Sequence, residues 1–246
     1  MPFAMSNAGV LIIGNEILSG KIQDENAPFL LRELRTLGVD VERVYTIPDV
    51  VEVIGTDVRR FSSDYSYVLT TGGVGPTHDD VTMEGVALAF GRELVEHPRM
   101  AEMLRKALKG HEPNPSQLKM CVLPEGARLL ETPDLWFPLV QVENVYIFPG
   151  IPRLLQAKFT SLRDTFQGTP FHLRRVFMAC IESDIAQELH DLLDDFPELR
   201  LGSYPKIGEE DYLTLITLES RDRAYVERAV DSLVARIAGE AVVRVE

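Results

Sequence analysis

The sequence predicts an α/β protein: an open, mostly parallel sheet with helices on both faces, joined to a small α+β domain of βαββαβ order. Three observations carry this expectation. Short β-rich runs alternate with amphipathic helical segments over most of the chain, glycine-rich or acidic loops follow several of those runs, and the order of elements changes after residue 168.

The first run, "AGVLIIG" at 8–14, is apolar and ends on glycine. "APFLLRELRTLG" at 27–38 then places apolar residues at helical spacing, with Gly38 where a helix would stop. "VDVERVYTIPD" at 39–49 reads as a strand, "VVEVIGTDVRRFSSD" at 50–64 as a helix and "YSYVLTTGG" at 65–73 as a third strand. This alternation implies right-handed βαβ units and hence a parallel sheet. Helices are expected over "TMEGVALAFG" at 82–91, with Gly91 as C-cap, and over "PRMAEMLRKALKG" at 98–110.

Residues 111–139 hold five of the fifteen prolines, and "CVLPEGARLL" at 121–130 suggests two short strands around a turn. "VENVYIFPG" at 142–150 reads as a buried strand, and "IPRLLQAKFTSLRDTFQ" at 151–167 as a helix that accepts Pro152 in its first turn. After "QGTP", the segments 171–180, 183–196, 199–205, 211–220, 222–239 and 241–246 follow as strand, helix, strand, strand, helix and strand. That order is ferredoxin-like. The expected domains are 7–168 and 169–246.

Composition narrows the function classes. Twenty-five basic against 38 acidic residues give a net charge of −13, which disfavours a generic electrostatic grip on nucleic acid or anionic lipid. The two cysteines, Cys121 and Cys180, are expected to be buried free thiols. No apolar run reaches membrane-spanning length and "MPFAMSNAG" lacks a signal-peptide pattern, so a cytoplasmic protein is expected.

Open α/β sheets bind ligands beyond the carboxyl ends of their strands, so four loops are candidate sites. "GNEILSGKIQDEN" offers Gly14, Glu16, Asp24 and Asn26, or is simply a solvated turn. "IPD" offers Asp49, which could equally cap the following helix. "FPGIP" places Pro149 and Gly150 where backbone can approach a ligand, or forms a stiff turn.

The most informative loop is "LTTGGVGPTHDD" at 69–80. It fits neither the Walker A spacing nor the dinucleotide G-x-G-x-x-G spacing. Exposed N–H groups of Gly72, Gly73 and Gly75 would form an anion nest ahead of a helix N-terminus. Asp79 and Asp80 would repel a phosphate unless a divalent cation lies between them, a common arrangement for Mg2+. Such a cation would bring Lewis acidity and a more acidic bound water. The competing explanation is a glycine turn whose aspartates complement the helix dipole; His78 has no clear ligand role.

"TTGGVGPTHDDVTMEGVA", "GNEILSGKIQDEN", "FPGIP" and "LGSYP" together resemble the molybdopterin-binding family that includes MogA and MoaB proteins, gephyrin and the amino-terminal domain of CinA. Within it the likeness is greatest to the molybdopterin-binding-like domain of eukaryotic FAD synthase, in "GPTHDDVTMEGVALAFG", "FPLVQVENVYIFPGIP" and "LGSYP". Asp79 stands where MogA-like proteins often carry arginine, and "ETPDLWFPLV" replaces the CinA stretch rich in "GTAPG", which favours the FAD-synthase-like branch.

The resemblance implies a MogA/MoaB-like fold with Asp49 and Asp80 as catalytic residues. It implies ligand contacts from Thr71, Thr77 and Thr82 beside the three glycines, and from Ser203 and Tyr204 of the small domain. Asp24, Asp79 and Asp80 are the implied ligands of a divalent metal, Mg2+ or Co2+, and self-association into a homo-oligomer is implied as well. The activity it implies is metal-dependent cleavage of FAD or ADP-ribose to AMP and a second phosphate ester. Molybdopterin adenylylation, or nucleotide or pterin binding without turnover, stand as alternatives. The synthase's adenylyltransferase domain has no counterpart in these 246 residues, so FAD synthesis is not expected of them.

Overall fold

A computed structural model describes residues 6–109, 111–132, 135, 137–206, 208, 211–237 and 241–246. The predicted helix ends at Gly110 and Gly239, and Pro133, Asp134 and Trp136 of "ETPDLWFPLV", lie outside the described residues. Chain contacts divide the protein into Met1–Thr169 and Pro170–Glu246.

In the first unit β1 (Asn7–Ile13), β2 (Asp40–Ile47), β3 (Tyr67–Thr71) and β8 (Val145–Phe148) pair in parallel in the order β2-β1-β3-β8. The sheet continues antiparallel through β7 (Leu139–Val142) to β6 (Arg128–Leu130). Strand alternation sends side chains to two cores. Leu11, Ile13, Val68, Val145 and Ile147 join Ile54, Val58 and Phe61 of α3 (Val51–Asp64) and Val86 of α4 (Thr82–Phe90). Val10, Ile12, Leu69 and Phe148 join Leu30 and Leu34 of α2 (Asn26–Thr36) and Leu155 and Phe159 of α7 (Pro152–Leu162) on the other face. The expected α/β sheet with helices on both faces is therefore present. Close packing of α3 on α4 needs glycine: a Cβ at Gly85 would fall 2.4 Å from Ile54 Cγ2.

The segment between α4 and β8 departs from expectation. "VENVYIFPG" is not one strand, because Val142 ends β7 and a turn at Glu143 (φ 51°) and Asn144 leads into β8. The turn uses glutamate in the left-handed region, so no glycine marks it. "CVLPEGARLL" does contain two strands, but they do not pair with each other. β5 (Val122–Pro124) pairs with β4 (Leu94–Glu96), and β6 pairs with β7. The "HEPNPS" turn contains the start of a short helix, α6 (Pro115–Lys119), whose Asn114 and Gln117 form a capping box. It follows α5 (Pro98–Ala107), while α1 (Asn15–Leu18) is a single turn inside the first candidate loop. The "QGTP" linker is partly anchored, with Gly168 N–H donating to Leu37 O at 2.9 Å.

The second unit is a four-stranded antiparallel sheet in the order β10-β11-β9-β12, formed by β9 (His172–Met178), β10 (Arg200–Pro205), β11 (Thr214–Ser220) and β12 (Val242–Val245). Helices α8 (Ala186–Asp195) and α9 (Arg223–Arg236) contribute Leu189, Leu192, Val226 and Leu233 to its core. This is the expected βαββαβ arrangement. Asp222 caps α9 through the N–H groups of Ala224 and Tyr225. Cys121 is buried, Cys180 is partly buried, and both are free thiols. No helix among the described residues is long and apolar enough to cross a membrane.

Candidate active site

The parallel strands end together, and their loops interlock through glycine. A Cβ at Gly72 (φ 103°) would fall 2.0 Å from Ile13 O, and one at Gly150 would fall 3.3 Å from Gly72 Cα. The loops after β1, β3 and β8 thus meet at backbone distance. Gly73 also takes a left-handed conformation, at φ 63°. Among the described residues no acceptor is bonded to the N–H groups of Gly73, Val74 or Gly75. Consecutive unpaired N–H groups of this kind favour an anion.

Two threonines and a lysine fix this loop. Thr82, fully buried at the start of α4, donates through Oγ1 to Gly72 O at 2.8 Å and through N–H to Gly73 O at 3.0 Å. Thr77 Oγ1 lies 2.6 Å from Asp79 Oδ1 and at hydrogen-bond distance from Asp80 Oδ2, while Thr77 N–H donates to Asp80 Oδ2 at 2.7 Å. Lys119 Nζ reaches in from α6 and donates to Thr77 O at 2.9 Å and Asp80 O at 2.6 Å. Hydrogen bonding from Thr77 first, and then from backbone, holds the Asp79 carboxyl below its ordinary range, with His78 and Lys119 adding to the effect. Neither aspartate caps α4, whose N-cap Val81 has no side-chain bond. The dipole-complement explanation therefore loses its capping bond. Gly75 leaves room for the Asp80 carboxylate: a Cβ there would stand 2.7 Å from Asp80 Oδ2 and displace it.

Beside this loop is a cavity of about 660 Å3, a size suited to a small molecule. Glu16, Asp24, Asn26, Gly72, Gly73, Gly75, Asp80, Pro149 and Gly150 of the expected residues line it. The remaining expected residues of the first unit support it from behind. Asp49 Oδ2 accepts from Asn15 N–H at 2.7 Å, so it ties the β2 loop to α1 rather than capping α3. Thr71 is buried and donates to Pro149 O at 3.1 Å, and Gly14 leaves the space that Glu16 occupies. Asn26 Nδ2 donates to Thr71 Oγ1 at 2.9 Å and Gly150 O at 2.8 Å. Since Gly150 O can only accept, the amide orientation is fixed, and Asn26 Oδ1 is left buried without a donor among the described residues. Ser203 and Tyr204 lie on β10 of the second unit.

Asp24 accepts from the N–H groups of Asn26 and Ala27 at the start of α2, which holds its carboxylate at the rim of the cavity. No group of three or more His, Cys, Asp or Glu side chains able to hold a metal forms among the described residues. The hard oxygen donors that remain together are the Asp79 and Asp80 carboxylates at Thr77, which suits a cation completed by phosphate oxygens.

One functional candidate was missed. Lys158 on α7 is fully buried and lines the cavity. Its Nζ donates to Phe137 O and to Thr132 Oγ1 at 3.3 Å, and lies 3.9 Å from the centroid of the Phe137 ring. Among the described residues no carboxylate pairs with it. Burial lowers its pKa from 10.5 to about 8. The signal was present in "LLQAKF", where Lys158 occupies the i+3 position after Leu155 on the buried stripe.

A mostly parallel sheet that carries a glycine loop with unpaired N–H groups and two adjacent aspartates at its carboxyl edge defines an α/β domain with a candidate site at that edge. Residues 9–166 match the family described as "Probable molybdopterin binding domain", and the chain belongs to that family. Residues 170–246 match "FAD synthase, middle domain". A protein of Archaeoglobus fulgidus is 36% identical over 90% of this chain and 93% of its own length. A "Probable FAD synthase" of Caenorhabditis elegans is 30% identical over 96% of this chain, which spans 50% of that protein's length. The solved structure of a Thermoplasma acidophilum protein described as CinA, with unknown function, superposes with a TM-score of 0.61 at 32% identity, covering 65% of this chain and 98% of that one.

Proposed function

We propose that this protein hydrolyses the phosphoanhydride of a nucleotide such as FAD or ADP-ribose, with Mg2+ or Co2+, to AMP and a second phosphate ester. The observation that carries the proposal is the row of unpaired N–H groups at Gly73–Gly75 beside the Asp79–Asp80 pair. The N–H row would hold non-bridging phosphate oxygens and align the anhydride. Asp80, packed on Gly75 and lining the cavity, is the carboxylate placed to take a proton from an attacking water or to share a cation with Asp79. A divalent cation, when bound there, supplies Lewis acidity and offsets the charge of the phosphates. Asn26 Oδ1, a buried acceptor, would take a ligand hydroxyl or amino donor. Likeness to a "Probable FAD synthase" supports a nucleotide ligand. Asp49 would act indirectly by holding the Asn15 turn.

Incubating the purified chain with FAD or ADP-ribose and each metal should release AMP, and Asp80→Asn should abolish that release. No AMP with any of these pairs would overturn the proposal. The family description favours a second ligand, a molybdopterin. Metal-dependent consumption of ATP with molybdopterin, in a protein inert toward FAD, would move the assignment to adenylyl transfer. Self-association and a cytoplasmic location are part of this proposal, and sedimentation tests the first.

A further inference from the structure

Gly72 is the junction of the candidate site, and the residues that border it are held by one side chain. Thr71 precedes Gly72 at the end of β3, and Gly150 approaches Gly72 so closely that a Cβ on Gly150 would fall 3.3 Å from the Gly72 Cα. Asn26 Nδ2 donates to both neighbours, to Thr71 Oγ1 at 2.9 Å and to Gly150 O at 2.8 Å. Thr71 Oγ1 in turn donates to Pro149 O at 3.1 Å. The hydrogen bonds therefore run in one direction, from the start of α2 through the end of β3 to the turn after β8.

That direction dictates the residue at position 26. The Thr71 proton is committed to Pro149 O, so Thr71 can only accept from Asn26, and the Gly150 carbonyl can do nothing else. Two acceptors at one nitrogen need two N–H groups on a short stem. Asparagine supplies them, serine and threonine supply one donor, and an ionised aspartate supplies none. The arrangement carries a cost, because Asn26 is only 6% exposed and its Oδ1 is buried without a donor among the described residues. Alanine would avoid that cost and leave the three loops unlinked. Buried polar groups left unsatisfied are concentrated where function constrains the geometry.

Resting on the proposed hydrolysis for its consequence in rate, we propose that Asn26 is the positioning residue of the glycine loop. Its amide fixes Gly72 between Thr71 and Gly150, and so sets where the N–H row of Gly73, Val74 and Gly75 stands relative to Asp80. The second anchor, Thr82, holds Gly72 O and Gly73 O from the side of α4. Without the Asn26 amide the loop is tethered by Thr82 alone, and phosphates on the N–H row lose their alignment with Asp80.

Asn26→Asp keeps the shape of the side chain and removes both donors. Backbone amide exchange, followed by NMR on the full chain at neutral pH, reads the loop with no ligand added. The N–H of Gly72, bonded to Phe148 O, and that of Thr82, bonded to Gly73 O, should exchange about tenfold faster in the variant, while those of Val58 and Phe61 in α3 keep their wild-type rates. A general loss of stability would speed all four alike. In the same variant kcat for AMP release should fall by about tenfold or more. Thr71→Val breaks the chain of hydrogen bonds at its middle and preserves shape. It should reproduce the exchange pattern, with the double variant no worse than Asn26→Asp alone, and it supplies the test if Asn26→Asp does not fold.

Unchanged exchange at Gly72 and Thr82 in both variants, or equal acceleration at all four amides, would overturn the proposal. Faster exchange confined to the loop in a protein that releases no AMP from FAD or ADP-ribose would retain the positioning role and remove the hydrolase. AMP release by the wild type with kcat unchanged in Asn26→Asp would do the reverse.

Discussion

Replacing Lys158 with methionine removes a buried charge while keeping a chain of similar length. The folded protein holds this amine at a pKa of about 8, whereas the unfolded chain returns it to 10.5. Below pH 8 both states are protonated, and the desolvation cost is present in full. Between 8 and 10.5 the unfolded state binds more protons, so wild-type stability relative to the variant rises with pH across that window. At about 1.4 kcal/mol for each pH unit, the depression corresponds to about 3 kcal/mol in total. At neutral pH methionine removes that penalty but also removes the donor shared by Phe137 O and Thr132 Oγ1, at a cost of about 1–3 kcal/mol. The two effects nearly cancel, so a stability difference at one pH is uninformative. The slope is the diagnostic. Among the described residues its partners are neutral: the Phe137 ring and carbonyl, and the Thr132 hydroxyl. Urea unfolding of both proteins from pH 7 to 10, compared as a difference so that other titrations cancel, should show the wild type gaining about 2–3 kcal/mol on the variant. A difference that stays flat across this range would refute the buried-ammonium reasoning.

Other expected outcomes follow from the same geometry. Gly75→Ala adds a Cβ 2.7 Å from Asp80 Oδ2 at an ordinary φ, so AMP release should fall at least about tenfold while the melting temperature shifts by no more than about 3 °C. Thr77→Val removes the hydroxyl that leads the depression of the Asp79 pKa, and carboxyl NMR titration should show that pKa rising toward its ordinary value. Lys119→Met deletes the clamp on Thr77 O and Asp80 O, so nucleotide binding should weaken and Lys119→Arg should restore part of it; equal affinity in all three proteins would dismiss the clamp.

Much of this protein was legible in its sequence because short-range physics wrote it there. Alternating apolar periods fixed the order of the parallel strands and helices, and the βαββαβ order of the small domain followed from the same patterns. "TTGGVGPTHDD" announced a tight loop because Gly72 and Gly73 adopt φ values that other residues avoid. Strand partners between residues 92 and 148 were not legible, since β4 finds β5 and β6 finds β7 across intervening segments, and a glutamate rather than a glycine makes the β7–β8 turn.

The division of labour among the acidic residues belongs to the tertiary structure alone. Sequence placed Asp24, Asp49, Asp79 and Asp80 in candidate loops. Only folding tied Asp24 to the first N–H groups of α2, made Asp49 a brace for α1, and gathered Asp79 and Asp80 around one threonine hydroxyl. Lys158 shows the same limit from the other side. Its place on an apolar stripe was readable, but the ring and carbonyl of Phe137 that meet it come from a segment 21 residues away in the chain. Local sequence determines which backbone conformations are cheap, and long-range packing decides which charges are left to meet a ligand.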